Sequence, residues 1–130
     1  MFEKLTIFGM AHGLAAHAAA RQSQIAQNVA NADTPQYRAR DVVPFAEVAK
    51  ISPDQAGMRA TRTQHGDFDN TSAQRFELRL TDDQASPNGN NVSIENEMLR
   101  GTAVRQQHDL ALSIYSSSLN IIRTSLGRGR

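Results

Sequence analysis

Two stretches of the chain repeat apolar and small residues at three- and four-residue intervals, and a polar, turn-rich stretch separates them. Near the N-terminus the series is Phe8, Ala11, Ala15, Ala18, Gln22, Ile25, Val29 and Ala32, the alternation of a coiled-coil seam. It predicts one helix over residues 3–32, about 45 Å long at the usual helical rise. Nine alanines between Ala11 and Ala32 reinforce it, because alanine is the best helix former. Near the C-terminus Met98, Arg105, Leu112, Leu119 and Leu126 recur every seven residues. His108, Tyr115 and Ile122 occupy the intermediate seam, and Val104, Ala111, Ile114 and Ile121 form a second row beside it. This helix is expected to start near Ser93, with Glu95 and Glu97 in its first turn, where carboxylates suit the helix dipole. Gly127-Arg128-Gly129-Arg130 ends it.

Between the helices the period changes. Asn31-Ala32-Asp33-Thr34-Pro35 closes the first one, since proline displaces the preceding residue from helical geometry and lacks an N–H. Phe45–Lys50 reads as one or two helical turns after Pro44, stopped by Ser52-Pro53-Asp54. Met58–Thr63 reads as a short strand. Phe76-Glu77-Leu78-Arg79-Leu80 alternates strictly, placing Phe76, Leu78 and Leu80 on one face of another. His65–Asn70 and Ser86–Asn91 are turn-forming runs. The expected fold is therefore mainly α. Long N- and C-terminal helices, 1–32 and 92–130, form a coiled-coil-like hairpin, and an irregular segment, 33–91, contains short β-strands.

Charge sharpens this picture. Residues 1–32 carry only Glu3, Lys4 and Arg21, and Met98–Leu126 only Arg100, Arg105, Asp109 and Arg123. A helix on the surface of a lone domain ordinarily has one strongly charged face. These helices have none, so much of their circumference is expected to meet protein, either in an intramolecular core or at a subunit interface. Phe8, Ile25, Val29, Leu112, Tyr115, Leu119, Ile122 and Leu126 are the expected contact residues. The net charge is +1, with the 12 arginines and 2 lysines dispersed, so no basic stripe exists for nucleic acid.

The chemistry is sparse. There is no cysteine, which excludes disulfides and thiolate metal sites. His65, Asp67 and Asp69 alternate but lack a fourth ligand at suitable spacing, and turn formation explains the acids. His12 and His17 do not share a helix face, His108 is isolated, and Ser116-Ser117-Ser118 has no nucleophile-elbow context. No catalytic, cofactor-binding or metal site is expected, and the chain is not read as an enzyme. Lys4, the apolar run Leu5–Ala11 and Ala16-His17-Ala18 have the outline of a signal peptide. His12, Gly13 and His17 interrupt it and Glu3 offsets Lys4, so the segment is read as retained. Nor is a membrane-spanning helix expected, since spanning takes about 20 apolar residues.

One run carries more. Asn28-Val29-Ala30-Asn31-Ala32-Asp33-Thr34-Pro35-Gln36-Tyr37 resembles the signature of flagellar rod, hook and hook-filament-junction proteins. In that family an N-terminal helix closes with Asn-x-Ala-Asn-x-x-Thr-Pro-Gly-Tyr. Asn28, Ala30, Asn31, Thr34, Pro35 and Tyr37 match. Gln36 stands where the family has glycine, a change that works against a positive φ at this position. Arg38-Ala39-Arg40-Asp41 and Asn91-Val92-Ser93-Ile94-Glu95-Asn96-Glu97-Met98 resemble the corresponding segments of proximal rod members, and Thr63-Gln64-His65 resembles a feature of their middle segment. The chain has no room for the large inserted domains of distal rod and hook members.

The resemblance implies a structural subunit of the proximal rod of the bacterial flagellar basal body, which transmits motor torque. It implies type III export without a cleaved signal peptide and assembly in the periplasm. The implied partners are further copies of the chain, other rod proteins, FliE, the MS ring and the export gate. Asn28 and Asn31 are expected to form hydrogen bonds at the helix exit or across a subunit boundary. Without the resemblance, the same hairpin also suits a helical adaptor or export-chaperone-like protein that binds partner helices.

Overall fold

The computed structural model describes residues 2–49 and 76–127. In chain order it contains α1 (Phe2–Ala30), β1 (Arg40–Val42), α2 (Phe45–Val48), β2 (Leu78–Leu80) and α3 (Ile94–Leu126). The expected strand at Met58–Thr63 and the turn at His65–Asn70 lie outside the described residues.

The two long helices form an antiparallel hairpin. Buried Ala11, Ala18 and Ile25 on α1 are spaced by seven, as are buried Glu97, Val104 and Ala111 on α3. Ala18, Ile25 and Val104 make the apolar cluster between the helices. Small side chains at the seam allow close approach but bury little area. Toward the open end of the hairpin the Phe8 ring meets Tyr115 edge-on, with centroids 5.3 Å apart.

The rotational phase of α3 differs from the expected seam. Val104 and Ala111, from the second apolar row, face α1. In the other row Met98 is 67% exposed, Leu112 50% and Leu126 79%. Periodicity gives a helix its stripes but does not say which stripe turns inward. Here Glu97 settles the phase. It is buried and bound to Arg100 at 2.6 Å, while Arg100 also binds Asp83 at 2.7 Å. That ion network anchors the first turns of α3 to the segment after β2.

β1 and β2 form an antiparallel pair with Arg40 opposite Leu80 and Val42 opposite Leu78. The pair lies against the α1 flank that carries Arg21 and Asn28, over buried Ala39, Val42 and Val43. Leu78 and Leu80 share a face as the alternation requires, but that face is exposed. Phe76 precedes the strand and meets the buried ring of His17 edge-on at 5.1 Å. The short α2 follows Pro44, and its Phe45 also lies against His17. Ser93 caps α3 by accepting the Asn96 amide.

The hairpin seam makes a direct prediction. Ala111 is 1% exposed, and Ala111→Leu would force the helices apart. It should lower unfolding stability by about 1–3 kcal/mol, read as a reduced midpoint in a denaturant titration followed by circular dichroism.

Candidate functional site

Where α1 ends, β1 begins and α3 starts, three asparagine side chains are buried to within 1–2% of full enclosure: Asn28, Asn90 and Asn91. Each primary amide offers a donor and an acceptor, the same pair as a peptide group. Asn28 uses both on one residue of β1. Its Nδ2 donates to the Arg40 carbonyl at 2.7 Å, and its Oδ1 accepts the Arg40 amide at 3.2 Å. The side chain thus sits against the strand as a neighbouring strand would. Its Oδ1 also accepts from Gln24 Nε2 and from the Tyr37 hydroxyl.

Asn91 grips the next residues. Its Oδ1 accepts the Ala39 amide at 2.6 Å and its Nδ2 donates to the Thr81 carbonyl at 3.0 Å. Asn90 closes the exit of α1. Its Nδ2 lies 2.8–2.9 Å from the carbonyls of Asn31, Ala32 and Thr34, and its Oδ1 accepts the Val92 amide. These carbonyls belong to the turn that follows α1, and the one side chain of Asn90 ties that turn to the segment ahead of α3. The end of α1 and the start of α3 are therefore knitted at a single joint.

The turn between them is tight. Gln36 has φ 60°, so the left-handed backbone is kept although glutamine replaces the family's glycine. Its amide donates to the Asn88 carbonyl at 3.1 Å, which holds the strained residue in place. Gly89 has φ 80°, and a Cβ there would stand 3.4 Å from Gln36 Cα. The close approach and the positive φ make glycine the fitting residue at position 89.

Ion pairs brace the joint on both sides. Arg21 binds Asp41 through two parallel hydrogen bonds of 2.8 and 2.6 Å, the strong fork geometry of guanidinium with carboxylate. On the α3 side, burial works against the charges of Asp83 and Arg100, but their partners outweigh it. Hydrogen bonds from Arg100, Thr81 and Asn96 hold the Asp83 carboxyl below its ordinary value. Bonds to Asp83 and Glu97 raise Arg100 above its own. His17 completes the brace with Nε2 2.7 Å from the Val43 carbonyl. A carbonyl only accepts, so Nε2 carries the proton.

The residues singled out in the sequence divide into two groups. Asn28, Tyr37 and the Asn31–Thr34 turn converge at the joint. Asn28 is buried, whereas the Asn31 side chain makes only local bonds, to Gln27 O and Thr34 Oγ1. Of the expected contact residues, Ile25 is enclosed within the hairpin, Phe8, Leu119 and Ile122 are half-buried, and Val29, Leu112, Tyr115 and Leu126 are exposed.

Sequence reasoning gave no role to His17, Arg21, Asn90 or the Glu97–Arg100–Asp83 network. Two signals were present. Arg21 is the one charge between Lys4 and Asp33, and Glu97 falls seven residues before Val104 in a buried row. The His65, Asp67 and Asp69 alternation lies outside the described residues. Among the described residues no three His, Asp or Glu side chains are grouped to hold a metal, and no helix is long and apolar enough to cross a membrane.

Comparison with known proteins identifies relatives along most of the chain. It is 29% identical over 119 residues to the flagellar basal body rod protein FlgB of Agrobacterium fabrum, covering 88% of each chain. It is 30% identical over 118 residues to that of Escherichia coli, covering 85% of this chain and 86% of that protein. The Bacillus subtilis FlgB is 27% identical over 112 residues, at 85% and 84% coverage. No family model matches the chain.

Two measurements check the joint. Asn28→Leu strands the Arg40 amide and carbonyl and should cost about 2–4 kcal/mol in chemical unfolding. Asn31→Leu, on an exposed local bond, should cost less than about 1 kcal/mol, and equal losses would contradict the assignment. The second concerns pH. Because the folded Asp83 carboxyl lies below its ordinary 3.8, its stabilisation is complete above that value and is lost as pH falls through the depressed folded value. Asp83→Asn should therefore lower stability at neutral pH and flatten the acid limb of a stability-versus-pH curve.

Proposed function

The chain belongs to the FlgB family of flagellar basal body rod proteins, and we propose that it serves as a structural subunit of the proximal rod, helping transmit motor torque toward hook and filament. The observation that carries the proposal is the joint. The signature residues at the end of α1 and the asparagines ahead of α3 meet there through hydrogen bonds of buried asparagine side chains. Both long helices are thereby held at a defined angle to the two-stranded sheet.

Torque transmission requires elements that resist deformation. Closely packed helices supply this, because protein interiors are as dense as organic crystals and yield little. One subunit repeated by a heterologous contact generates an open helical array. In this reading residues 1–32 and 92–130 form the rod core, and residues 33–91 brace neighbouring subunits. Phe8, Val29, Leu112, Tyr115, Leu119, Ile122 and Leu126 make contacts between subunits, and Ile25 supports them from inside the hairpin. Much of this row is uncovered in the single chain, and uncovered apolar surface of this extent marks interaction sites.

The role is structural rather than catalytic. The subunit travels through the type III export apparatus without losing an N-terminal segment and assembles in the periplasm. Its neighbours are further copies, other rod proteins, FliE, the MS ring and the export gate. Leu119→Asp tests the reading, since it places an unpaired charge in the assembled bundle at a cost of several kcal/mol. Expression should persist while incorporation into basal bodies and swimming are lost. Normal swimming would remove Leu119 from the interface.

A further inference from the structure

The turn ahead of α3 holds the chain's one Asn-Gly pair, Asn88-Gly89. Asparagine before glycine readily loses its side-chain ammonia, because no side chain shields the nitrogen that follows. The fold itself calls for the glycine, since Gly89 has φ 80° and a Cβ there would stand 3.4 Å from Gln36. Asn88 is exposed, so water reaches its side chain. The joint thus keeps a chemically reactive pair beside Gln36, its strained residue.

In the folded chain three hydrogen bonds hold this pair. The Gly89 amide donates to the Ser86 carbonyl at 2.8 Å, and the Gln36 amide donates to the Asn88 carbonyl at 3.1 Å. Asn88 Oδ1 accepts the Asn90 amide at 3.0 Å, an Asx turn. Asn90 is in turn buried and tied to the carbonyls after α1. Reaction requires the Gly89 nitrogen to give up its proton and reach Asn88 Cγ, and both groups are engaged here. Freeing them means opening the joint locally. We propose that Asn88 is a self-modification site gated by the joint, closed while the joint is formed and reactive when it opens.

The Gly89 nitrogen attacks Asn88 Cγ. The N–Cγ bond forms and the Cγ–Nδ2 bond breaks, and Nδ2 leaves as ammonia with the proton that the Gly89 nitrogen gives up. The five-membered imide then takes up one water. Opening at one carbonyl yields aspartate, and opening at the other yields isoaspartate, whose main chain runs through Cβ and Cγ. Water is the only co-reactant. Either product adds a negative charge. In isoaspartate the former Asn88 carbonyl, which holds the Gln36 amide, leaves the main chain as a free carboxylate. A chain whose joint has stayed open is thereby marked and loses part of what closes it. This inference needs no partner subunit and stands apart from the rod reading.

Peptide mapping reads the conversion, since Asn88 lies in the tryptic peptide Leu80–Arg100 and each loss of ammonia to water adds one mass unit. The full chain is aged at neutral pH, folded or in guanidinium chloride. Asn88 should convert about ten-fold or more faster in the unfolded chain, giving both aspartate and isoaspartate. Asn28→Leu, which loosens the joint from the α1 side, should raise the rate without denaturant while circular dichroism still reports a folded chain. Equal rates in folded and unfolded chains, or an unchanged rate in that variant, would overturn the gating. No conversion in either state would overturn the site. After removal of denaturant the isoaspartate form should melt below the unaltered chain, whereas Asn88→Asp, which keeps the main-chain length, should stay close to it. An isoaspartate form that melts with the unaltered chain would overturn the effect on closure.

Discussion

A side-chain amide can stand in for a peptide group, and the architecture of this chain depends on three such substitutions. Asn28 pairs with both backbone groups of Arg40. Asn91 spans Ala39 and Thr81. Asn90 binds three carbonyls of the turn that follows α1. Buried backbone groups need partners, and at this joint neither helix nor sheet is long enough to supply them. Without the asparagines, the short strands would carry unpaired polar groups in an enclosed site. The donor and acceptor of an asparagine amide are fixed in one plane, so each substitution sets direction as well as satisfying a bond.

The joint matters more because the hairpin seam is thin. Ala11, Ala18 and Ala111 take up most of the closest approach, and Ile25 and Val104 supply the larger aliphatic burial there. Such a seam defines how near the helices lie but adds little burial energy along its length. Orientation then comes from polar anchors: the Arg21–Asp41 fork on one side and the Asp83–Arg100–Glu97 network on the other. These anchors lie near the joint, so the hairpin is held firmly at one end. Its far half carries Phe8 against Tyr115 and a largely uncharged, exposed apolar surface. A subunit built this way has a defined geometry at the joint and surface to share along its helices, which suits the proposed place in a rod.

The asymmetry also explains how glycine and glutamine are distributed. Gln36 adopts φ 60° because its amide is held by Asn88 and its backbone is backed by Gly89. Strain at a non-glycine residue persists when its surroundings over-determine it. Gly89, 53 positions later in the chain, lies beside Gln36 in space.

The sequence by itself determined the two long helices, their caps, the proline-terminated turn and the Phe76–Leu80 alternation, because each is written in residues close together in the chain. It also carried the family signature at the end of α1. It did not determine which stripe of α3 faces α1. Two rows of apolar residues satisfy the same period, and the choice between them was made by Glu97, Arg100 and Asp83 acting across 17 residues. Nor did it reveal that Asn28 is buried while Asn31 is not, although both belong to one signature. Hydrogen bonds to Arg40 separate them, and that partner is supplied only when the strand folds back against the helix. Periodicity and capping are local and legible. The phase of a helix and the burial of a polar group are settled by partners far away in the chain, and tertiary structure alone brings those partners together.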